Sequence, residues 1–310
     1  MIESQSTERS GEALFPIRTV ASLTGVNPVT LRAWERRYGL VCPQRTAKGH
    51  RLYSATDVER IKQILQLLDS GVSIGRVSRA LESEEQAQED VPRSDGGPWD
   101  DYARLMLQAV ENFDDNRLER VYNDALALYP IEMVTRRLVV PMLHTLGQRW
   151  AQDEGSVAEE HFFGMFLRNK LGARFHHMQS QSRGPLLMAA CLPGDLHELG
   201  LLMFSLTAMS RDYRVVLLGA NTPLAPLPQA IRRSGAEVLV LSGSTALDWS
   251  SVDAGFRALV TGVSVPVVVG GAVSERSADA IRAAGGTPIG DDHARALLHI
   301  DHLLGRRQGG

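Results

Sequence analysis

Apolar residues near the start of the chain recur in short runs at helical spacing. Residues 16–40, PIRTVASLTGVNPVTLRAWERRYGL, read as two short helices. The first runs from about Ile17 to Leu23 and stops at Thr24-Gly25. The second opens on Asn27 as N-cap with Pro28 in the first helical position, where a missing N–H costs nothing. Leu31, Trp34 and Tyr38 follow at spacings of three and four and are expected to face a core, with Arg32, Arg36 and Arg37 mainly on the other side. Next, Lys48-Gly49-His50-Arg51 reads as the tip of a two-stranded wing, and Ser54 or Thr56 as the start of another helix. The pattern predicts a tight helix-turn-helix with a wing.

The pattern then lapses. ESEEQAQEDVPRSDGGPWD, from Glu82, is acidic, polar and broken by Pro and Gly, which predicts a flexible linker over residues 83–99, as a disordered N-terminus is predicted over 1–14. Helical periodicity returns over 100–182, where four helices fit, with breaks at Tyr129-Pro130 and Asp153-Glu154-Gly155 and a kink at Pro141. Beyond Gly184 short Val- and Leu-rich runs alternate with helices of about ten residues, the signature of a parallel sheet covered on both faces. The expected class is therefore multi-domain: a winged helix-turn-helix (15–82), a four-helix bundle (100–182) and a doubly wound α/β domain (183–310).

Composition adds little until it is placed along the chain. The 310 residues are 44% hydrophobic and 22% charged, ordinary values for a globular protein. No stretch reaches 18 uncharged apolar residues, and MIESQSTERSGE lacks a signal-peptide pattern, so a cytoplasmic protein without a membrane span is expected. The two cysteines, Cys42 and Cys191, lie far apart, which disfavours a zinc ribbon, a disulfide framework or a CxxC centre. Charge is uneven: Pro16 to Ala80 holds eleven Lys/Arg against four Asp/Glu, +7 in a chain of −3, leaving −10 elsewhere. One end is suited to an anion such as DNA.

The motifs TVASLTGVNPVTLRAWERRYGL, GHRLY and TDVERIKQILQLLDSGVSIGRV, in this order, resemble the DNA-binding domain of the MerR family of transcription regulators. The resemblance implies that Thr30, Arg32, Trp34, Arg36 and Arg37 belong to the recognition helix region and Lys48, His50, Arg51 and Tyr53 to the wing, with double-stranded operator DNA as partner. Phosphate contacts would dominate affinity and base contacts would set sequence, with Arg32 and Arg36 as the preferred groove readers. The metal-sensing branch of that family binds its ion through cysteines after a long dimerisation helix, and this chain has none there.

In the α/β region GDLHELG follows the first strand, SGSTAL the third and GGAV the fourth. Ligands of such sheets sit beyond the carboxyl ends of the strands, and no GxGxxG follows the first strand to favour a dinucleotide. Alone, DxHxxG also fits a helix start capped by Asp195 with His197 exposed. Asp195, His197 and Gly200, with Ser242 and Gly270-Gly271, resemble the cobalamin-binding domain of methionine synthase and corrinoid proteins. That resemblance implies that His197 ligates cobalt from below, that Asp195 holds its other ring nitrogen, that Gly270 and Gly271 admit the displaced nucleotide tail, and that Ser242 and Ser244 bond it. Where the family has Ser-x-Leu or Ser-x-Thr, this chain has Ser242-Gly243-Ser244.

The whole order, with W-x9-E-H in the bundle (Trp150, Glu160, His161), resembles the CarH/LitR type of cobalamin-dependent photoreceptor repressors. That implies adenosylcobalamin as chromophore, with Trp150, Val157, Glu160 and His161 around the adenosyl group. It further implies a homotetramer on DNA in the dark that dissociates in light, and no catalytic residue. Some members carry a histidine directly after the tryptophan; here the residue is Ala151. A light-independent cobalamin sensor, or less readily a corrinoid methyl carrier, are the alternatives left by the residues themselves.

Overall fold

The computed structural model describes residues 13–82, 97–152, 155–179, 182–244 and 247–306. It divides into two compact units that meet between Phe163 and Gly164. The segments 1–12 and 83–96, where a disordered start and most of the linker are expected, lie outside the described residues.

The first unit opens with strand β1 (Phe15–Pro16) and helix α1 (Ile17–Thr24), which ends on Gly25 in the left-handed conformation. Helix α2 (Pro28–Ala33) is capped as its sequence predicts: the Asn27 side chain accepts from the backbone N–H of Val29 and Thr30 at 2.8 and 2.9 Å. It continues into a π turn, Trp34–Tyr38. The wing is β2 (Gln44–Arg45) and β3 (Arg51–Tyr53), antiparallel, and β1 pairs with the far edge of β3, a third short strand that periodicity does not reveal. Helix α3 (Ala55–Asp69) starts from a Ser54–Asp57 capping box, and α4 (Ile74–Glu82) follows.

Helix α5 (Pro98–Glu111) begins inside the stretch expected to be linker. Pro98 suits its first turn and Trp99 packs against Tyr129, ring centroids 4.5 Å apart and planes tilted by 49°, so the apolar anchor overrides the Gly-Pro signal. Helix α6 spans Asp115–Leu128. The third helix of this region is continuous but changes register: α7 (Ile131–Val134), a π turn (Thr135–Val139) and α8 (Val140–Ala151). Pro141 explains the π turn, because proline removes an N–H and clashes with the carbonyl four residues back, and the wider turn relieves both. Helix α9 (Val157–Met178) spans the division between the units.

The second unit holds five parallel strands, β4 (Leu186–Cys191), β5 (Arg214–Gly219), β6 (Val238–Ser242), β7 (Val267–Gly270) and β8 (Thr287–Gly290), ordered β5-β4-β6-β7-β8. Between and after them run α10 (Leu199–Ser210), α11 (Leu227–Ser234), α12 (Asp253–Thr261), α13 (Ala272–Arg276), α14 (Ala278–Ala283) and α15 (His293–Leu303). All six residues of β4 are buried because both faces are covered. Met188, Leu239 and Val269 pack toward Ile231 and Phe256, while Leu187, Val240 and Val268 pack toward Phe204 and Leu297. Register aligns the strand ends: Cys191 opposite Ser242, Ser242 opposite Gly270, Gly270 opposite Gly290. No helix among the described residues is long and apolar enough to cross a membrane.

Candidate functional site

The loop after β4 is built around Asp195. Its carboxylate is buried; Oδ1 accepts the His197 backbone N–H at 2.9 Å and lies 3.0 Å from His197 Nδ1, and Oδ2 accepts the backbone N–H of Ser244 in the loop after β6. One carboxylate thus ties two strand-end loops together and holds an imidazole. The His197 side chain is 62% exposed. With Nδ1 on the carboxylate, the tautomer that presents an Nε2 lone pair is favoured, which is what a transition-metal ligand requires. Asp195 does not cap α10, which begins later, at Leu199, without a side-chain cap.

Asn221 was not legible as part of this site. Its Oδ1 accepts from Gly194 at 2.8 Å and its N–H donates to the Asp195 carbonyl at 2.8 Å, while its backbone sits at φ 47, a conformation asparagine tolerates. Glu198 joins α9 to the loop after β5, pairing with Arg168 at 2.7 Å and accepting from the Ala220 N–H at 3.2 Å. An open groove of about 770 Å³ lies beside these residues, between Leu196, Phe175 and Leu218.

Ser242 stands at the end of β6, half-buried. Ser244 Oγ is buried and meets no hydrogen-bond partner among the described residues. Gly271 has φ 78 and ψ 179, a region essentially restricted to glycine, and a Cβ there would stand 2.5 Å from the Gly243 carbonyl oxygen. Its glycine is therefore demanded by the protein's own backbone and not by room for a ligand. At Gly270 a Cβ would meet only ordinary contacts, and at Gly200, on the first turn of α10, nothing within 4 Å. A buried hydroxyl awaiting a partner, an oriented imidazole edge and open space at Gly200 fit a bound corrinoid with a buried polar tail.

In the first unit Trp150 lies on the last turn of α8 and is 53% exposed; Val157 and His161, one turn apart on α9, are also exposed, and Glu160 is half-buried. Such an open tryptophan has no role in its own core.

The basic end divides into two sets. Arg32, Arg36, Arg37, Lys48 and His50 are exposed. Three residues expected beside DNA are turned inward. Thr30 is buried, with its hydroxyl on the Leu126 carbonyl at 3.3 Å, and Trp34 is buried, with Nε1 donating to the Leu128 carbonyl at 2.9 Å. Carbonyls in the last turn of a helix lack intrahelical donors, so α2 and its π turn cap α6. The helix-turn-helix thus packs on the bundle through α6, and Asp69 at the end of α3 adds ion pairs to Arg136 and Arg137. Tyr53 is core, burial pushing its hydroxyl pKa up to about 12. Arg51, expected at the wing surface, is engaged by Glu35.

Residues 15–84 match the MerR HTH family regulatory protein model, and residues 102–174, the helical region, match a B12 binding domain. The chain is 32% identical over 274 residues to the HTH-type transcriptional repressor CarH of Myxococcus xanthus, covering 85% of this chain and 90% of CarH. It is 31% identical over 262 residues to the repressor CarA of the same organism, covering 82% and 85%. A Methanosarcina barkeri monomethylamine corrinoid protein superposes with a TM-score of 0.53 at 17% identity, over 65% of this chain and 97% of that one, which shows a shared fold.

Proposed function

The chain, a MerR helix-turn-helix joined to a B12-binding region, belongs to the family of the repressors CarH and CarA, and from that premise we propose that it is a cobalamin-dependent, light-responsive repressor of transcription. The observation that carries the reading is the Asp195–His197 pair, an imidazole fixed through Nδ1 with its other edge exposed, in a chain that also presents an arginine-rich recognition helix. A methyl carrier would have no use for the second feature.

In this reading His197 would ligate cobalt, Asp195 would fix its tautomer, and Ser242 and Ser244 would bond the nucleotide tail. Trp150, Val157, Glu160 and His161 surround the adenosyl group. Adenosylcobalamin supplies a cobalt–carbon bond that light can break. The protein's own part is to pack differently once the space beside Trp150 changes, shifting between arrangements by their difference in affinity. Arg32, Arg36, Arg37, Lys48 and His50 meet operator DNA, and a dark tetramer gains avidity that separate subunits lack.

The test is to load the protein with adenosylcobalamin in darkness, record absorbance, size and DNA affinity, illuminate, and repeat. Light should change the spectrum, reduce the particle size and release DNA together. A spectrum that changes with size and DNA affinity constant would leave a light-independent sensor, and failure to take up any corrinoid would remove the cofactor.

A further inference from the structure

The two strands of the wing carry a conflict. Arg45 on β2 and Arg51 on β3 are direct cross-strand partners, and like charges placed opposite one another destabilise a strand pair. The conflict is resolved from outside the sheet. Glu35, in the π turn that extends the recognition helix, places Oε1 2.8 Å from Arg45 Nη2 and Oε2 on Arg51 Nε. The bridge is partly withdrawn from water, the Glu35 side chain being 16% exposed and that of Arg51 18%. Burial pushes the Glu35 pKa upward, but hydrogen bonds and charge from both arginines outweigh it and hold the carboxyl below its ordinary value. Within the same turn Arg36 and Arg37 remain exposed.

We propose that Glu35 is a positioning residue for DNA recognition: by bridging Arg45 and Arg51 it fixes the wing against the recognition helix and so sets where Lys48 and His50 stand relative to Arg32 and Arg36. The inference rests on the DNA-binding part of the proposed function. It reverses the simplest electrostatic expectation. A carboxylate beside a polyanion should weaken binding, and its removal should free two arginines for phosphates and tighten it. A positioning carboxylate does the opposite for the correct sequence, because without it the paired arginines repel and the wing leaves its register.

The experiment uses the full chain, loaded with adenosylcobalamin in darkness, on two probes: a short duplex enriched from a random-sequence pool by the wild-type protein, and a mixed-sequence duplex of equal length. Glu35→Gln should weaken binding to the enriched duplex about tenfold while leaving mixed-sequence binding unchanged or tighter, which also shows that the domain is folded. Adding Arg45→Gln removes the repulsion, so Glu35→Gln/Arg45→Gln should recover about threefold of the loss although it carries one positive charge fewer. Binding of Glu35→Gln to the enriched duplex at wild-type strength or better would overturn the proposal. Equal loss on both probes, or a double variant weaker than Glu35→Gln, would also overturn it. If the wild-type protein enriches no sequence, the DNA-binding reading itself falls, and this inference with it.

Discussion

Replacing Asp195 with asparagine isolates one feature of the site, the surplus of acceptors that a carboxylate has over an amide. Three N–H groups converge on it: the His197 backbone at 2.9 Å and His197 Nδ1 at 3.0 Å on Oδ1, and the Ser244 backbone on Oδ2. An amide offers one oxygen. If that oxygen stays beside His197, the new NH2 opposes the Ser244 N–H; if it flips, both His197 bonds are lost and the ring is no longer held in the Nδ1–H tautomer. Either way a buried donor is left unmet, at a cost of about 1–3 kcal/mol. Loss of a carboxylate behind a metal-binding histidine lowers metal affinity about 10- to 100-fold. Urea unfolding of the apo protein reads the first effect, and a dark titration with adenosylcobalamin followed by absorbance reads the second. Asp195→Asn should lower the unfolding midpoint and weaken cofactor binding, while His197→Ala should leave the fold intact and abolish the histidine-ligated spectrum. An Asp195→Asn protein with wild-type stability and cofactor affinity within about twofold of wild type would refute the reasoning.

Three further outcomes are expected. Trp34→Phe leaves the Leu128 carbonyl without its donor and a cavity where the second ring of a fully buried indole stood, so thermal unfolding should show a loss of about 2–4 kcal/mol, with Arg32, Arg36 and Arg37 still exposed. Burial holds the His293 imidazole below its ordinary pKa, against the opposing pull of Asp292 and Asp291. The unfolded chain then takes up the proton first, so stability is complete above the ordinary histidine value and falls as pH drops below it. His293→Phe, set edge-on to Phe204 at 5.8 Å between centroids in the native pair, should flatten that slope in urea melts from pH 7 to 5. Finally, Gly271→Ala should destabilise the apo protein by about 2–4 kcal/mol through strain and a clash with Gly243. Gly200→Ala, on a helix and in open space, should leave the apo protein as stable or more so by about 0.5–1 kcal/mol yet weaken adenosylcobalamin binding.

What could be read from the sequence is what is decided locally. Asn27 and Pro28 mark the start of α2 because a cap is satisfied within three residues. The pairing of Asp195 with His197 follows from a separation of two residues in a tight turn, and the buried strands from their unbroken apolar runs. Thr30, Trp34 and Tyr53 were expected beside DNA through the resemblance, whereas the spacing of Leu31, Trp34 and Tyr38 already pointed Trp34 to a core. A motif places residues in the recognition helix region or the wing but does not say which of them another element claims, and the carbonyls that claim Thr30 and Trp34 lie 96 and 94 residues further on. Glu35 escaped notice because its two partners come from different strands. Pro98 and Trp99 read as linker because the tyrosine that anchors Trp99 is remote in sequence.

The glycines carry the same lesson into the site. Gly270-Gly271 after a strand signals that a backbone must be approached closely, and sequence alone leaves open what approaches it. At Gly271 the answer is the Gly243 carbonyl, whose neighbour Ser242 ends β6. That contact fixes the two loops to each other before any ligand arrives, and Asp195 adds a second tie through the Ser244 N–H. The loops after β4, β6 and β7 therefore form one preassembled edge. A group that binds there need not order them, so less of its binding free energy is lost to fixing the loops.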